Sequence, residues 1–270
     1  MLRRLVKYDM RAISRVALPM YLVAGIISLL CCGVLYFTFG FAEEIDSVFS
    51  AFMITGSLYL IGILTVAVMV VITVVAVASR YYRSVFGDEG YLNMVIPVSR
   101  RQFLNAKIIS SVIWVLSSVL VAGACLVVSV LLPTLLYDTS LISEAIDLLK
   151  AEAGMNGEEK ALLVFAFVMQ ITVSLFDLVK DVMLVITAIT VGSVIFKSFR
   201  ICACILLYFG ITFVEQMACT LIKTAIAFAT SSSWVTVTLN VIFELLVISV
   251  TFAVGYLASA FSLEKRFNLE

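Results

Sequence analysis

Six long apolar runs separated by short polar blocks set the plan of this chain. They cover residues 16–39, 53–79, 108–132, 162–196, 201–229 and 235–261. Each exceeds the ~20 residues that an α-helix needs to cross the hydrocarbon of a bilayer. At 1.5 Å per residue the fourth would reach about 50 Å, so it must tilt, project from the membrane or break. The three prolines, Pro19, Pro97 and Pro133, fall at or near run boundaries, where a missing backbone N–H costs least. The pattern predicts an all-α integral membrane fold with six transmembrane helices. No internal repeat or low-complexity linker divides it, so residues 1–270 read as one transmembrane domain.

The polar blocks carry the orientation. In residues 1–17, Leu2, Leu5, Val6, Ile13 and Val16 share one helical face, and Arg3, Arg4, Lys7, Arg11 and Arg15 lie mostly elsewhere. That is a basic amphipathic helix suited to an anionic membrane surface. It is not a signal peptide. The 16–39 run is too long for a signal core and lacks a small-residue cleavage site, and Leu30 before Cys31 does not fit a lipoprotein box. With the N-terminus inside, 14 of the 18 Lys and Arg residues fall in cytoplasmic blocks, which places both termini in the cytoplasm. The long outer block, 134–161, contains an amphipathic stretch with Ser140 as N-cap and Gly154 as C-cap. It lies on the outer interface, either as simple packing on neighbouring spans or as a lid.

Composition sharpens this picture. The chain is 63% hydrophobic and only 13% charged, against about a quarter charged in soluble domains, so lipid is the solvent for most of its surface. The net charge is zero, which gives no basic field for nucleic acid. There is no histidine, which removes His-based metal sites, Ser-His and Cys-His catalysis and the usual physiological-pH switch. Cys31, Cys32, Cys125, Cys202, Cys204 and Cys219 all sit in apolar runs with no zinc-ligand spacing, as small core residues do.

Residues 80–107 form the block richest in signals. Gly87-Asp88-Glu89-Gly90 makes a turn with acidic residues at a helix start, where they suit the helix dipole. Tyr91, Leu92, Met94, Val95 and Ile96 follow as a short apolar run closed by Pro97, and Ser99-Arg100-Arg101-Gln102 has the form of a capping box for the third span. The expected shape is a short surface helix followed by a sharp re-entry, able to fit a groove on a partner. A plain positive-inside connector would explain the arginines but not the glycine-bracketed acidic turn or Tyr91.

The run F-G-D-E-G-Y-L-N-M-V-I-P-V-S-R, residues 86–100, resembles the coupling loop of type-2 ABC export permeases. That family has a G-E-G-Y-L-x-x-x-x-P-V-S-R type segment before its third helix. Here Asp88 lengthens the turn, and Pro97-Val98-Ser99-Arg100 is intact. The likeness covers about 15 residues, and six spans with an amphipathic N-terminal arm fit the family along the rest of the chain. It implies an export permease in the cell membrane that pairs with a second permease, the same chain or a relative. It also implies docking on cytosolic ABC ATPase subunits through Phe86, Gly87, Asp88, Glu89, Gly90, Tyr91, Leu92 and Asn93. Residues 1–17 would be the connecting helix. The chain has no G-x-x-x-x-G-K-[ST] loop to cradle phosphates, so ATP and Mg belong to the partner and this chain carries no cofactor of its own. The cargo implied is amphipathic: a peptide, a lipid-like molecule or a drug.

Charges inside the spans are the remaining candidates. Asp177, Lys180 and Asp181 share a face of the fourth helix, where spacing lets Lys180 pair with Asp177. Glu215 and Lys223 lie on the fifth helix and Glu244 on the sixth; Lys223 is placed to snorkel outward. Charges in hydrocarbon cost several kcal/mol, so these face the bundle, a partner or water. Three readings stand: a translocation cavity for cationic or amphipathic cargo, a proton relay in an ATP-independent ion-coupled transporter, or interhelical ion pairs that lock register. An aspartate-bound magnesium of the membrane prenyltransferase kind does not fit, since Lys180 splits a single aspartate pair.

Overall fold

A computed structural model of the chain describes residues 2–40, 48–87, 100–132, 157–195, 199–230 and 232–267. Among them there is no strand, and nearly all are helical. The helices are α1 (Leu2–Gly40), α2 (Val48–Phe86), α3 (Arg100–Leu126), α4 (Gly157–Ile195), α5 (Arg200–Ala229) and α6 (Ser233–Phe267). A π-helical stretch, Val127–Leu131, extends α3. Each of the six contains a segment long and apolar enough to span a bilayer, and the chain is a multi-pass membrane protein. Its outward surface is apolar along these segments, with Leu22, Leu60, Leu120, Leu206 and Phe213 all exposed, as lipid-facing helices require.

The helices outrun the apolar runs that predict them. The basic arm is helical and runs without a break into the first apolar run: α1 extends from Leu2 to Gly40, with Pro19 inside it. The expectation that Pro19 marks a boundary is therefore corrected. Proline removes one backbone donor from the ladder, a loss that membrane helices absorb locally, and the Pro19 ring is exposed. On the arm's apolar face Ile13 is buried and Leu5 and Val6 half-buried, whereas Val16 is exposed. The fourth run does not break: α4 is continuous for 39 residues, about 58 Å. α2 likewise continues through Arg80 to Phe86, with Tyr82 stacked on Phe86 at 5.7 Å and Tyr81 and Val85 buried. α3 is described from Arg100 onward, and Ser99 of the capping box, with the rest of 88–99, lies outside the described residues. Pro97, Pro133 and the amphipathic stretch within 134–161 lie outside them as well.

The chain forms two compact units. One takes residues 10–77 and 113–155. In its core the small side chains Ala24 of α1 and Ala122 and Cys125 of α3, which let helices approach, pack around Met69 of α2. Tyr21 leans on Trp114 at 6.2 Å between ring centroids, and its hydroxyl lies 3.1 Å from the Ser117 hydroxyl.

The other unit takes residues 1–9, 78–112 and 156–270 and holds every charged site described below. Here α4 packs along α5 and α6. Two glycines set the distances. A Cβ at Gly255 of α6 would come within 2.9 Å of Thr187 Oγ1 on α4, and one at Gly192 of α4 would come within 3.1 Å of the Cys204 Cα on α5. Buried hydroxyls join the same seams. Thr187 donates to the Met183 carbonyl at 2.8 Å and accepts from Ser259 at 3.2 Å. Thr190 spends its proton on the Ile186 carbonyl, so the fully buried Tyr81 hydroxyl donates to Thr190, at 3.2 Å, and joins α2 to α4.

Gly192→Ala is expected to cost about 1–3 kcal/mol, because the methyl group meets rigid backbone. Gly210→Ala, with nothing within 4 Å of the new Cβ, should be neutral or up to about 1 kcal/mol stabilising from helix propensity. Thermal unfolding of the purified variants in detergent checks the contrast, and equal effects would contradict the α4–α5 packing.

Candidate functional site

All of the intramembrane charges but Asp181 line one polar cavity between α4, α5 and α6. Lys180 is buried at the middle of α4, and its Nζ lies 2.7 Å from Asp177 Oδ1 and 2.7 Å from Glu215 Oε1. Asp181 Oδ1 is more remote at 3.6 Å. The pairing with Asp177 is the expected i,i+3 contact. The pairing with Glu215 crosses to α5, which spacing along one helix cannot reveal. Closer to the α5–α6 turn, Lys223 pairs tightly with Glu244 of α6. Lys223 keeps 40% of its side-chain surface exposed, with its ammonium on a carboxylate of the adjacent helix.

These two ion-pair groups line one cavity of about 190 Å³. Gln170 and Ser174 of α4 and Gln216 of α5 add neutral hydrogen-bonding groups, and Val173, Val247 and Ile248 supply an apolar wall. Such a cavity has the room and the polar partners to hold several waters. Asp181 is not part of its lining. Across the whole group four carboxylates face two ammonium groups, an excess of negative charge. Asp177 and Asp181 keep 42% and 47% of their side-chain surface exposed. A carboxylate at that depth cannot face hydrocarbon without a heavy penalty, so water or a partner covers it. Among the described residues no three of His, Cys, Asp or Glu are grouped to hold a metal ion.

No protein-family model, curated protein or solved structure matches this chain.

The loop residues fare differently from the charges. Phe86 ends α2 in its stack with Tyr82, and the Gly87 N–H donates to the Arg83 carbonyl at 3.1 Å as the helix closes. Asp88, Glu89, Gly90, Tyr91, Leu92 and Asn93 lie outside the described residues.

A second ionic group went unrecognised in the sequence. Asp9 is only 4% exposed; Lys107 Nζ lies 2.6 Å from its Oδ1, and Arg80 Nε approaches the same oxygen at 3.8 Å. Lys107 is equally buried and stands over the Phe103 ring at 5.3 Å. One carboxylate on α1 thus faces cations on both α2 and α3. A signal for it exists. Asp9 continues the helical stripe of Leu5, Val6, Ile13 and Val16, and a carboxylate on an apolar face needs a buried cation. Arg80 and Lys107 pass for topology charges because positive-inside counting gives every basic residue the same meaning.

Proposed function

We propose that this chain is the membrane-spanning permease subunit of an ATP-driven exporter of the type-2 ABC kind. It sits in the cell membrane with both termini cytoplasmic and works with a second permease and cytosolic ABC ATPase subunits. The observation that carries this reading is the F-G-D-E-G-Y-L-N-M-V-I-P-V-S-R run at 86–100, standing between the second and third of six apolar helices. The cavity around Lys180 supports a transport role, because a polar space at mid-span with room for water is where cargo can leave lipid or water and still be solvated. Its excess of carboxylates favours cargo bearing a cationic group on an apolar body. ATP and Mg act on the partner. Cycles of ATP binding push on residues 86–96, and the helices respond by opening the cavity to alternate sides.

Pull-down from native membranes in gentle detergent tests the reading. Wild type is expected to bring down an ATPase with a Walker-type phosphate loop, and Glu89→Arg with Tyr91→Ala to lose it while staying monodisperse. An intact wild-type protein that retains no ATPase sinks the exporter reading. The same cavity then favours an ion-coupled transporter, in which Asp177, Asp181, Glu215 and Glu244 exchange protons or cations and transport follows an ion gradient.

A further inference from the structure

The polar cavity around Lys180 has an apolar neighbour. Beside it a groove of about 630 Å³ lies between α5 and α6, lined by Gly210, Ile211, Val214, Ala218 and Thr251. Glu215, Cys219 and Val247 line both spaces and form a common wall. The groove opens on the outward surface of the spans: Val214 is 67% exposed, and a Cβ on Gly210 would meet nothing within 4 Å. From Gly210 to Cys219 it follows α5 for about 13 Å. Its volume suits a drug-sized body, since small-molecule sites occupy about 300–1,000 Å³. The groove has one charged residue, Glu215, and the same carboxylate takes Lys180 on its Oε1 at 2.7 Å. A carboxylate has a second oxygen with which to accept. Three carboxylates and two ammonium groups line the polar cavity, which leaves it one positive charge short.

We infer that groove and cavity form one bipartite site for a single-chain amphiphile with an ammonium head. The head sits at the common wall on Glu215 and supplies the missing charge; the chain lies along α5 between Gly210 and Ala218. A neutral tail fills the groove but leaves the excess carboxylate unanswered, and a charge at that depth is what costs most. A small ammonium ion answers the charge and leaves the groove to lipid. A molecule with both parts satisfies both spaces, and it enters sideways from the bilayer, through the open side of the groove at Val214. All of these residues belong to one compact unit. The inference deepens the transport reading and rests on it for the claim that the occupant is cargo; occupancy itself needs no ATPase.

Cys219 reports on the site because it belongs to the common wall, and the exposed Cys202, near the start of α5 and outside both spaces, is the internal control. The full chain in phosphatidylcholine nanodiscs is alkylated with N-ethylmaleimide, and both cysteines are read by peptide mass spectrometry. Dodecylammonium is expected to suppress alkylation of Cys219 and leave Cys202 unchanged. Dodecanol, which has the chain without the charge, and butylammonium, which has the charge without the chain, should protect neither. Glu215→Gln removes a charge-assisted contact and should raise the half-protecting concentration about tenfold. Gly210→Trp fills one end of the groove without touching an ion pair; displacing two methylenes raises that concentration by about tenfold too. It tests the chain half of the site should E215Q not fold. Dodecanol or butylammonium that protects as well as dodecylammonium overturns the bipartite site, as does equal protection in wild type and G210W. A Cys219 that dodecylammonium does not protect, or that stays unreactive without it while Cys202 reacts, overturns it as well. These failures leave the exporter reading standing, and a failed ATPase pull-down leaves this site standing.

Discussion

Lys180→Met is expected to lower the unfolding temperature of the purified protein by on the order of 10 °C. Among the described residues Lys180 is the only cation within 4 Å of Asp177, Asp181 and Glu215, with two contacts at 2.7 Å. Removing it takes that counter-charge from Glu215, nearly buried, and from Asp177 at mid-span. Breaking a buried pair from one side costs about 3–5 kcal/mol. The low end applies here because Asp177 is partly exposed and solvent screens it. At about 2–4 °C per kcal/mol for a chain of this size, the shift follows. The carboxylates themselves should rank by geometry. Glu215→Gln loses a short, nearly buried contact and costs about 1–2 kcal/mol. Asp177→Asn costs less because its side chain is more exposed. Asp181→Asn should be neutral or stabilising, since Asp181 sits farthest from Lys180 and repels the other two acids. Thermal unfolding of the four variants in one detergent gives the order. A D181N as damaging as K180M would mean that Asp181 is the true partner and that the cluster is built differently.

That ranking depends on facts of unequal legibility in the chain. The spans and the Asp177–Lys180 pair are local: periodicity, length and i,i+3 spacing determine them, and the six helices and the 2.7 Å contact follow. Partners on other helices are not local. Nothing in the order of residues says that Glu215 meets Lys180 or that Glu244 meets Lys223, because every span is apolar enough to pack against any other. Helix ends are misread for a related reason. Hydropathy marks where lipid stops, whereas hydrogen bonding marks where the helix stops, and α2 continues seven residues beyond its apolar run. Pro19 is the clearest case: a residue that ends helices in water remains inside one here.

Asp9→Ala should be the most damaging substitution outside the cavity, about 3–5 kcal/mol by the same one-sided rule, although the arm looks like a dispensable basic tail. Loss of Asp9 takes from the buried Lys107 ammonium a carboxylate 2.6 Å away and from Arg80 one 3.8 Å away, so part of the cost of burying charge there is no longer offset. Arg11→Ala, two residues away on the exposed ridge, should stay within about 0.5 kcal/mol of wild type. The contrast separates a clasp from a surface anchor, because an anchor would depend on Arg11 and ignore Asp9. A double-mutant cycle isolates the pair. Lys107→Met alone strands Asp9 with the more distant Arg80, and combining it with D9A removes both halves of the short contact, so the double variant should be less destabilised than the sum by about 1–3 kcal/mol. Additive losses would show that Asp9 and Lys107 contribute independently, and the arm would then be held by its apolar face alone.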